Sequence, residues 1–199
     1  MLLGALAALL RPTLASPQDI PARAKQYRAT LIRCAHAEWG LAAPVATMAA
    51  QIHQESLWDP EARSAYASGL AQFTPATARW LPTVAPQTGE PAPLNPGWAL
   101  RALVAYDHWL HGKISAASPC DRWAMTLSAY NGGLGWLNRD RRIAPSSGLD
   151  PARWWGHVET VNAGRAAWAI RENRGYPRRI LLTLEPLYEA TGWGEGVCP

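Results

Sequence analysis

The sequence is short of charge: Asp, Glu, Lys and Arg make up 17% of its 199 residues, against 48% apolar residues, and that balance excludes a generally disordered chain. Lysine is nearly absent, so Arg supplies the formal net charge of +4 and the pI near 9.2. No Lys/Arg block accompanies it. The runs Arg139–Arg142 and Pro177–Arg179 are short and read as solvated surface, and without a basic stripe carrying interleaved aromatics a nucleic-acid partner is set aside. A weak attraction to polyanions remains, including a carboxylate- and phosphate-rich cell wall. The three cysteines, Cys34, Cys120 and Cys198, show neither a CxxC pair nor metal-ligand spacing, which argues against zinc. One disulfide with one thiol left over fits an exported chain, and the sequence does not name the pair. The five histidines form no HExxH, and Ser56 near His53 lacks a GxSxG elbow, so a serine hydrolase is set aside. No long apolar run exists either. Leu2–Leu10 is too short to span a bilayer, but with the small residues of Leu14-Ala15-Ser16 it makes residues 1–16 a candidate signal or anchor segment, one that lacks a leading basic residue.

What is present is helical patterning. Ile20–Gly40 carries an apolar stripe at Tyr27, Leu31, Cys34 and Ala35, closed by Trp39-Gly40. Pro44 suits a first turn, and Val45, Met48, Ala49 and Ile52 line one face of a second helix ending at Glu55. An irregular stretch through Pro60 and Ser64–Gly69 leads to a short helix at Pro75–Ala78, and five prolines between Pro82 and Pro96 mark a loop. Further helices are expected over Trp98–His111, Pro119–Tyr130, Ala163–Ile170 and Ile180–Tyr188, with a surface loop at Ile143–Pro151. No segment sustains the alternation of a strand. The expectation is a single, mostly α domain over residues 17–199, with its core at about residues 44–181. Eleven Trp stand against one Phe, and most are assigned to the core, the rest being free to stack on a sugar face.

The chemistry gathers between Gln54 and Thr77. Glu55 stands where an apolar helix meets a small-residue loop, a place that desolvates a carboxyl, raises its pKa and keeps it protonated as a general acid for a glycosidic oxygen requires. A solvent-exposed helix-terminal Glu is the bland alternative. Asp59, before Pro60, reads as a turn residue, and neither it nor Glu61 is assigned as a nucleophile. Trp58 and Phe73 are read as core residues.

Gln54-Glu55-Ser56, Asp59-Pro60, Ala62, Ser64, Gly69-Leu70-Ala71-Gln72-Phe73, Pro75 and Thr77 together resemble the soluble lytic transglycosylase family. Ser128-Ala129-Tyr130-Asn131-Gly132-Gly133 resembles that family's A-Y-N-x-G element, and Glu172-Asn173-Arg174-Gly175-Tyr176 with Ile180-Leu181 is similar to its later E-T-R-x-Y segment. Two departures stand out: Ser64–Leu70 is one residue shorter than the family run and lacks its first Gly, and Asn173 replaces the usual Thr. His157–Glu159 and the ENRGYPRRIL run resemble cell-wall-degrading proteins of bacteriophage.

The resemblance implies a lysozyme-like helical fold, acting as a monomer on peptidoglycan glycan strands with no metal or organic cofactor, in the periplasm or cell wall, or in a virion or host-lysis role. It implies that Glu55 protonates the oxygen between N-acetylmuramic acid and N-acetylglucosamine and then serves as base on the muramic C6 hydroxyl, closing a 1,6-anhydro ring. Tyr130 would donate towards Glu55, and Ser64, Gln72 and Asn131 would contact the sugars. Glu172 would sit near the cleft or pair with an Arg, while Tyr176 is read as packing. A hydrolytic muramidase of the same fold and a non-catalytic wall-binding or virion module are the alternatives.

Overall fold

The computed structural model describes residues 19–198, so the candidate segment at residues 1–16 lies outside the described residues. Eight α-helices follow in order: α1 (Ala24–Trp39), α2 (Val45–Ser56), α3 (Pro75–Trp80), α4 (Pro96–Gly112), α5 (Pro119–Gly132), α6 (Leu134–Ile143), α7 (Ala167–Arg179) and α8 (Glu185–Ala190). No strands form among the described residues; Arg63 with Ser68 and Ser68 with Phe73 make isolated bridges. The mostly α architecture expected from the sequence is what is found.

Three helix starts use one local device. Thr74-Pro75, Asn95-Pro96 and Ser118-Pro119 each place a side-chain oxygen before a proline at the first helical position. The Thr74 hydroxyl accepts from Thr77 N–H at 3.1 Å, the Asn95 amide oxygen from Trp98 N–H at 3.0 Å, and the Ser118 hydroxyl from Asp121 N–H at 3.0 Å. Each cap satisfies a donor that a helix start leaves unpaired, and proline has no N–H to leave unpaired there.

Helix α2 lies at the centre, with every residue from Val45 to His53 buried, so it is covered all round instead of on one stripe. It packs against α1, α8 and the wide turn Ile180–Leu184. It stops sharply because Leu57 and Trp58 are both left-handed, with φ of 53° and 64°. Non-glycine residues adopt that conformation only when their surroundings over-determine it. Here the fully buried Trp58 indole donates to the Tyr188 hydroxyl at 2.6 Å, packed against the rings of Tyr27 and Trp193. The stop therefore fixes the last turn of α2, which bears Glu55.

The C-terminal half departs from the expected boundaries. The helix expected over Ala163–Ile170 begins at Ala167 and runs to Arg179. Its start is displaced because the backbone at 163–165 is held by side chains: Ala163 N–H donates to Asp140, and Gly164 and Arg165 N–H donate to Asn162. The polar run Arg171–Arg174 stays helical because its polar groups are satisfied: buried Asn173 accepts from the Ser128 hydroxyl at 2.9 Å and donates to the Ser128 carbonyl at 2.8 Å, docking α7 on α5. Pro177 lies in the last turn of α7, where the chain relaxes into the wide turn leading to α8.

Residues 134–143, which the sequence pattern left unassigned, form α6, and Arg139–Arg142 is only in part a solvated surface. Asp140 within it is fully buried and paired with two guanidinium groups, those of Arg165 and, at 2.6 Å, Arg174. Arg141 donates to the carbonyls of Pro151 and Ser115. The cysteine pairing is Cys120–Cys198, which ties the C-terminus to α5 and leaves Cys34 free.

Breaking a buried ion cluster from one side leaves uncompensated charge. Asp140→Ala, which strands two guanidinium groups, is expected to lower the unfolding free energy by about 3–5 kcal/mol in urea denaturation, whereas Asp150→Ala, on an exposed ion pair with Arg153, is expected to change it by no more than about 1 kcal/mol.

Candidate active site

A cleft of about 760 Å³ opens beside the end of α2. The 64–77 segment supplies Ser64, Tyr66 and Gln72 among others; α7 supplies Trp168, Glu172 and Tyr176 together with the cations Arg171 and Arg179; Glu55, Tyr106, Tyr130 and Asn131 also line it. Its size falls in the range of sites that accept an extended small ligand. A smaller cavity of about 330 Å³ adjoins it, sharing Asn131, Trp168 and Glu172 and adding Trp136 and Arg165.

The loop segment is shaped by one unavoidable glycine. Gly69 has φ of 80°, and a Cβ on it would lie 1.8 Å from the Pro93 carbonyl oxygen, so no larger residue fits. The Ser56 hydroxyl donates to the Leu70 carbonyl at 2.9 Å, tying the loop to the helix that carries Glu55. Gln72, left-handed at φ of 46°, donates to the carbonyls of Ala62 and Gly69, and the Ser64 hydroxyl accepts from the N–H groups of Tyr66 and Ala67. Both side chains thus brace the loop while lining the cleft. Asp59 makes the turn expected of it, accepting from Glu61 N–H, and neither residue lines the cleft. Trp58 is core; Phe73 is almost fully buried and reaches the cleft at its edge.

Glu55 is the electrostatic centre. Removal of water from its carboxyl pushes its pKa up to about 8; the hydroxyl of Tyr176, which donates to Glu55 Oε1, opposes that rise, and the nearby charge of Glu172 adds to it. Such a carboxyl is protonated at neutral pH and sits at the threshold of losing its proton.

Two expectations about tyrosines are corrected. Tyr130 does not bond Glu55: its hydroxyl donates to the Ala71 carbonyl at 2.8 Å, because the Gly69–Gln72 turn presents that carbonyl to it, and it holds loop and α5 together. Tyr176, read from the sequence as packing, is the partner of Glu55, although 121 residues separate them. Trp168, Glu172 and Tyr176 recur every four residues and so share one face of α7, a periodicity that marks the cleft wall in the sequence itself. Glu172 lies on the cleft, and Asn131 accepts from the Asn173 amide at 3.1 Å.

The transglycosylase SLT domain model matches residues 33–150. The chain belongs to that family. Among curated proteins, the membrane-bound lytic murein transglycosylase F of Marinobacter nauticus is 32% identical over 66% of this chain and 25% of its own length. The protein of the same description from Ectopseudomonas mendocina is 29% identical over 81% of this chain and 32% of its own length. The chain thus spans between a quarter and a third of these relatives. The 70 kDa soluble lytic transglycosylase of Escherichia coli shares the fold, with a TM-score of 0.59 at 23% identity over 83% of this chain and 24% of that one.

The SLT match covers Glu55, Ser64, Gln72, Tyr130 and Asn131 but ends before α7, so Glu172 and Tyr176 reach the SLT cleft from chain beyond it. Tyr176→Phe removes the bond that favours the charged form of Glu55, so the Glu55 pKa is expected to rise further. In activity measured against pH, the alkaline limb is then expected to move to higher pH and the maximal rate to fall by about tenfold.

Proposed function

We propose that this SLT domain cleaves the β-1,4 bond between N-acetylmuramic acid and N-acetylglucosamine in peptidoglycan glycan strands and releases 1,6-anhydromuramic ends. The observation that carries the reading is a single desolvated carboxyl, Glu55, opening on a cleft with its pKa pushed up to about 8. In the first half-reaction Glu55 donates its proton to the glycosidic oxygen as the C1–O bond breaks, and the departing sugar leaves as an alcohol. The substrate's own acetamido group shields the electron-poor C1, which replaces the second carboxylate of the usual glycosidase pair. The ionised Glu55 then takes the proton of the muramic C6 hydroxyl as its oxygen bonds C1, and the acid is regenerated for the next cycle.

Tyr176 holds the carboxyl between these two states, because its hydroxyl bonds the charged form more strongly than the neutral one. Ser64, Gln72, Asn131 and Glu172 are proposed to contact the strand where they face the cleft, as is Trp168, two-thirds exposed at its mouth and suited to stack on a sugar face. The Cys120–Cys198 disulfide supports an oxidising compartment such as the periplasm or cell wall. No helix among the described residues is long and apolar enough to cross a membrane. A role in host lysis or wall penetration by a bacteriophage is the narrower part of the proposal and is carried only by the resemblance of His157–Glu159 and Glu172–Leu181.

Muropeptide mass spectrometry of digested wall tests the reading. Products a water's mass lighter than reducing ends are expected, and Glu55→Gln is expected to release them about 10²–10⁴-fold more slowly. Reducing ends would instead assign hydrolysis, and equal release by Glu55→Gln would remove Glu55 from the chemistry.

A further inference from the structure

Behind the cleft a second carboxyl is buried with no cation to neutralise it. Asp107, on the inner face of α4, is fully buried, and no ion pair among the described residues involves it. Its partner is an amide: Gln51 Nε2, also fully buried, donates to Asp107 Oδ1 at 3.3 Å. The other oxygen of each group, Gln51 Oε1 and Asp107 Oδ2, is buried without a hydrogen-bond partner. Two orphaned acceptors on two side chains already joined by one bond are what a single missing proton leaves behind. Buried acceptors rarely go unpaired, and an uncompensated buried carboxylate is costlier still.

We propose that Asp107 carries a proton on Oδ2 and donates it to Gln51 Oε1, closing an acid–amide ring that clamps the Glu55-bearing end of α2 to α4 and makes Asp107 a positioning residue for the acid. One proton on Oδ2 gives both orphaned oxygens a partner. Gln51 lies four residues before Glu55, so the ring braces the same face of α2 that presents the carboxyl to the cleft. The surroundings favour the neutral form from every side. Glu55 on α2, Tyr106 beside Asp107 on α4, Tyr130 on α5 and Tyr176 on α7 are the titratable groups that interact with it, and none is a cation. Of the histidines on α4, His108 is paired with Glu38 of α1 at 3.0 Å, and the groups that shift His111 do not include Asp107. Burial drives the Asp107 carboxyl well above the usual carboxylate range, the charge of Glu55 adds to that rise, and the Gln51 bond only opposes it. A neutral Asp107 also spares Glu55 a second negative neighbour, so the Glu55 pKa is set by Glu172, Tyr176 and desolvation alone.

Infrared spectroscopy of the full chain carrying carboxyl-labelled aspartate tests the proton directly. A protonated aspartate carbonyl band is expected near neutral pH in the native protein and is expected to vanish in Asp107→Asn. Absence of that band from the native protein overturns the proposal whether or not the variant folds. The second arm rests on Glu55 being the acid of the proposed reaction. Asparagine restores both bonds of the ring without charge, so the alkaline limb of the activity profile is expected to stay in place in Asp107→Asn, while Asp107→Leu, which orphans Gln51, is expected to lower kcat about tenfold with KM unchanged. A limb displaced by about one pH unit or more to lower pH in Asp107→Asn would show that a negative charge had been removed and would overturn the proposal. If no glycan is cleaved at all, the reading of the cleft fails while the infrared band still decides the state of Asp107.

Discussion

Exclusion of water from the Glu55 carboxyl is the constraint on which the cleft depends. The group stands on the last turn of a helix buried from Val45 to His53, half-buried at the cleft wall, where the Tyr176 hydroxyl bonds it and the chain turns sharply after it through two left-handed residues. Removal of water from the carboxyl there raises its pKa. That arrangement costs stability. A carboxyl whose folded pKa lies above its unfolded value binds its proton more tightly when folded, so its contribution to stability falls as pH rises from about 4.5 to about 8. The aromatic cluster around Trp58 and Tyr188, the Asp140 cluster and the Cys120–Cys198 bridge are the interactions that offset it.

Around that carboxyl the structure separates two kinds of work. Charge is tuned by α7, which brings Tyr176 as hydrogen-bond donor and Glu172 as like charge. Position is held by neutral bonds: Ser56 to Leu70, Tyr130 to Ala71 and Gln51 to Asp107. Helix α7 can act on Glu55 because buried Asn173 docks it on α5, and Gly132 leaves room for that contact: a Cβ there would lie 2.6 Å from the Asn173 amide nitrogen and displace it. Asn173 is thus built into the packing of the cleft wall.

Much of this was legible in the sequence where the signal is local. The end of α2, the helix starts at Pro75 and Pro119 and the small-residue loop are written in consecutive residues, whereas the start at Pro96 was hidden in a proline-rich loop; Glu55, Ser64, Gln72, Tyr130, Asn131 and Glu172 all line one cleft. The Tyr176–Glu55 bond was not, because it joins residues 121 apart and depends on how α7 crosses α2; the four-residue recurrence of Trp168, Glu172 and Tyr176 was its only trace. Helix α6 and the start of α7 escaped because Asp140 looks like a surface charge in a basic run, whereas burial with two arginines makes it the organiser of both. Asp107 escaped for the same reason: a polar residue in an apolar stripe shows its meaning only when its partner on another helix is known.

The claim beneath all of this is that Glu55 holds its proton at neutral pH. Carbon-13 NMR titration of the side-chain carboxyls, with Glu55 assigned by its absence in Glu55→Gln, measures that state without substrate. A midpoint near 8 is expected, while one near the ordinary glutamate value of about 4.5 would contradict the account.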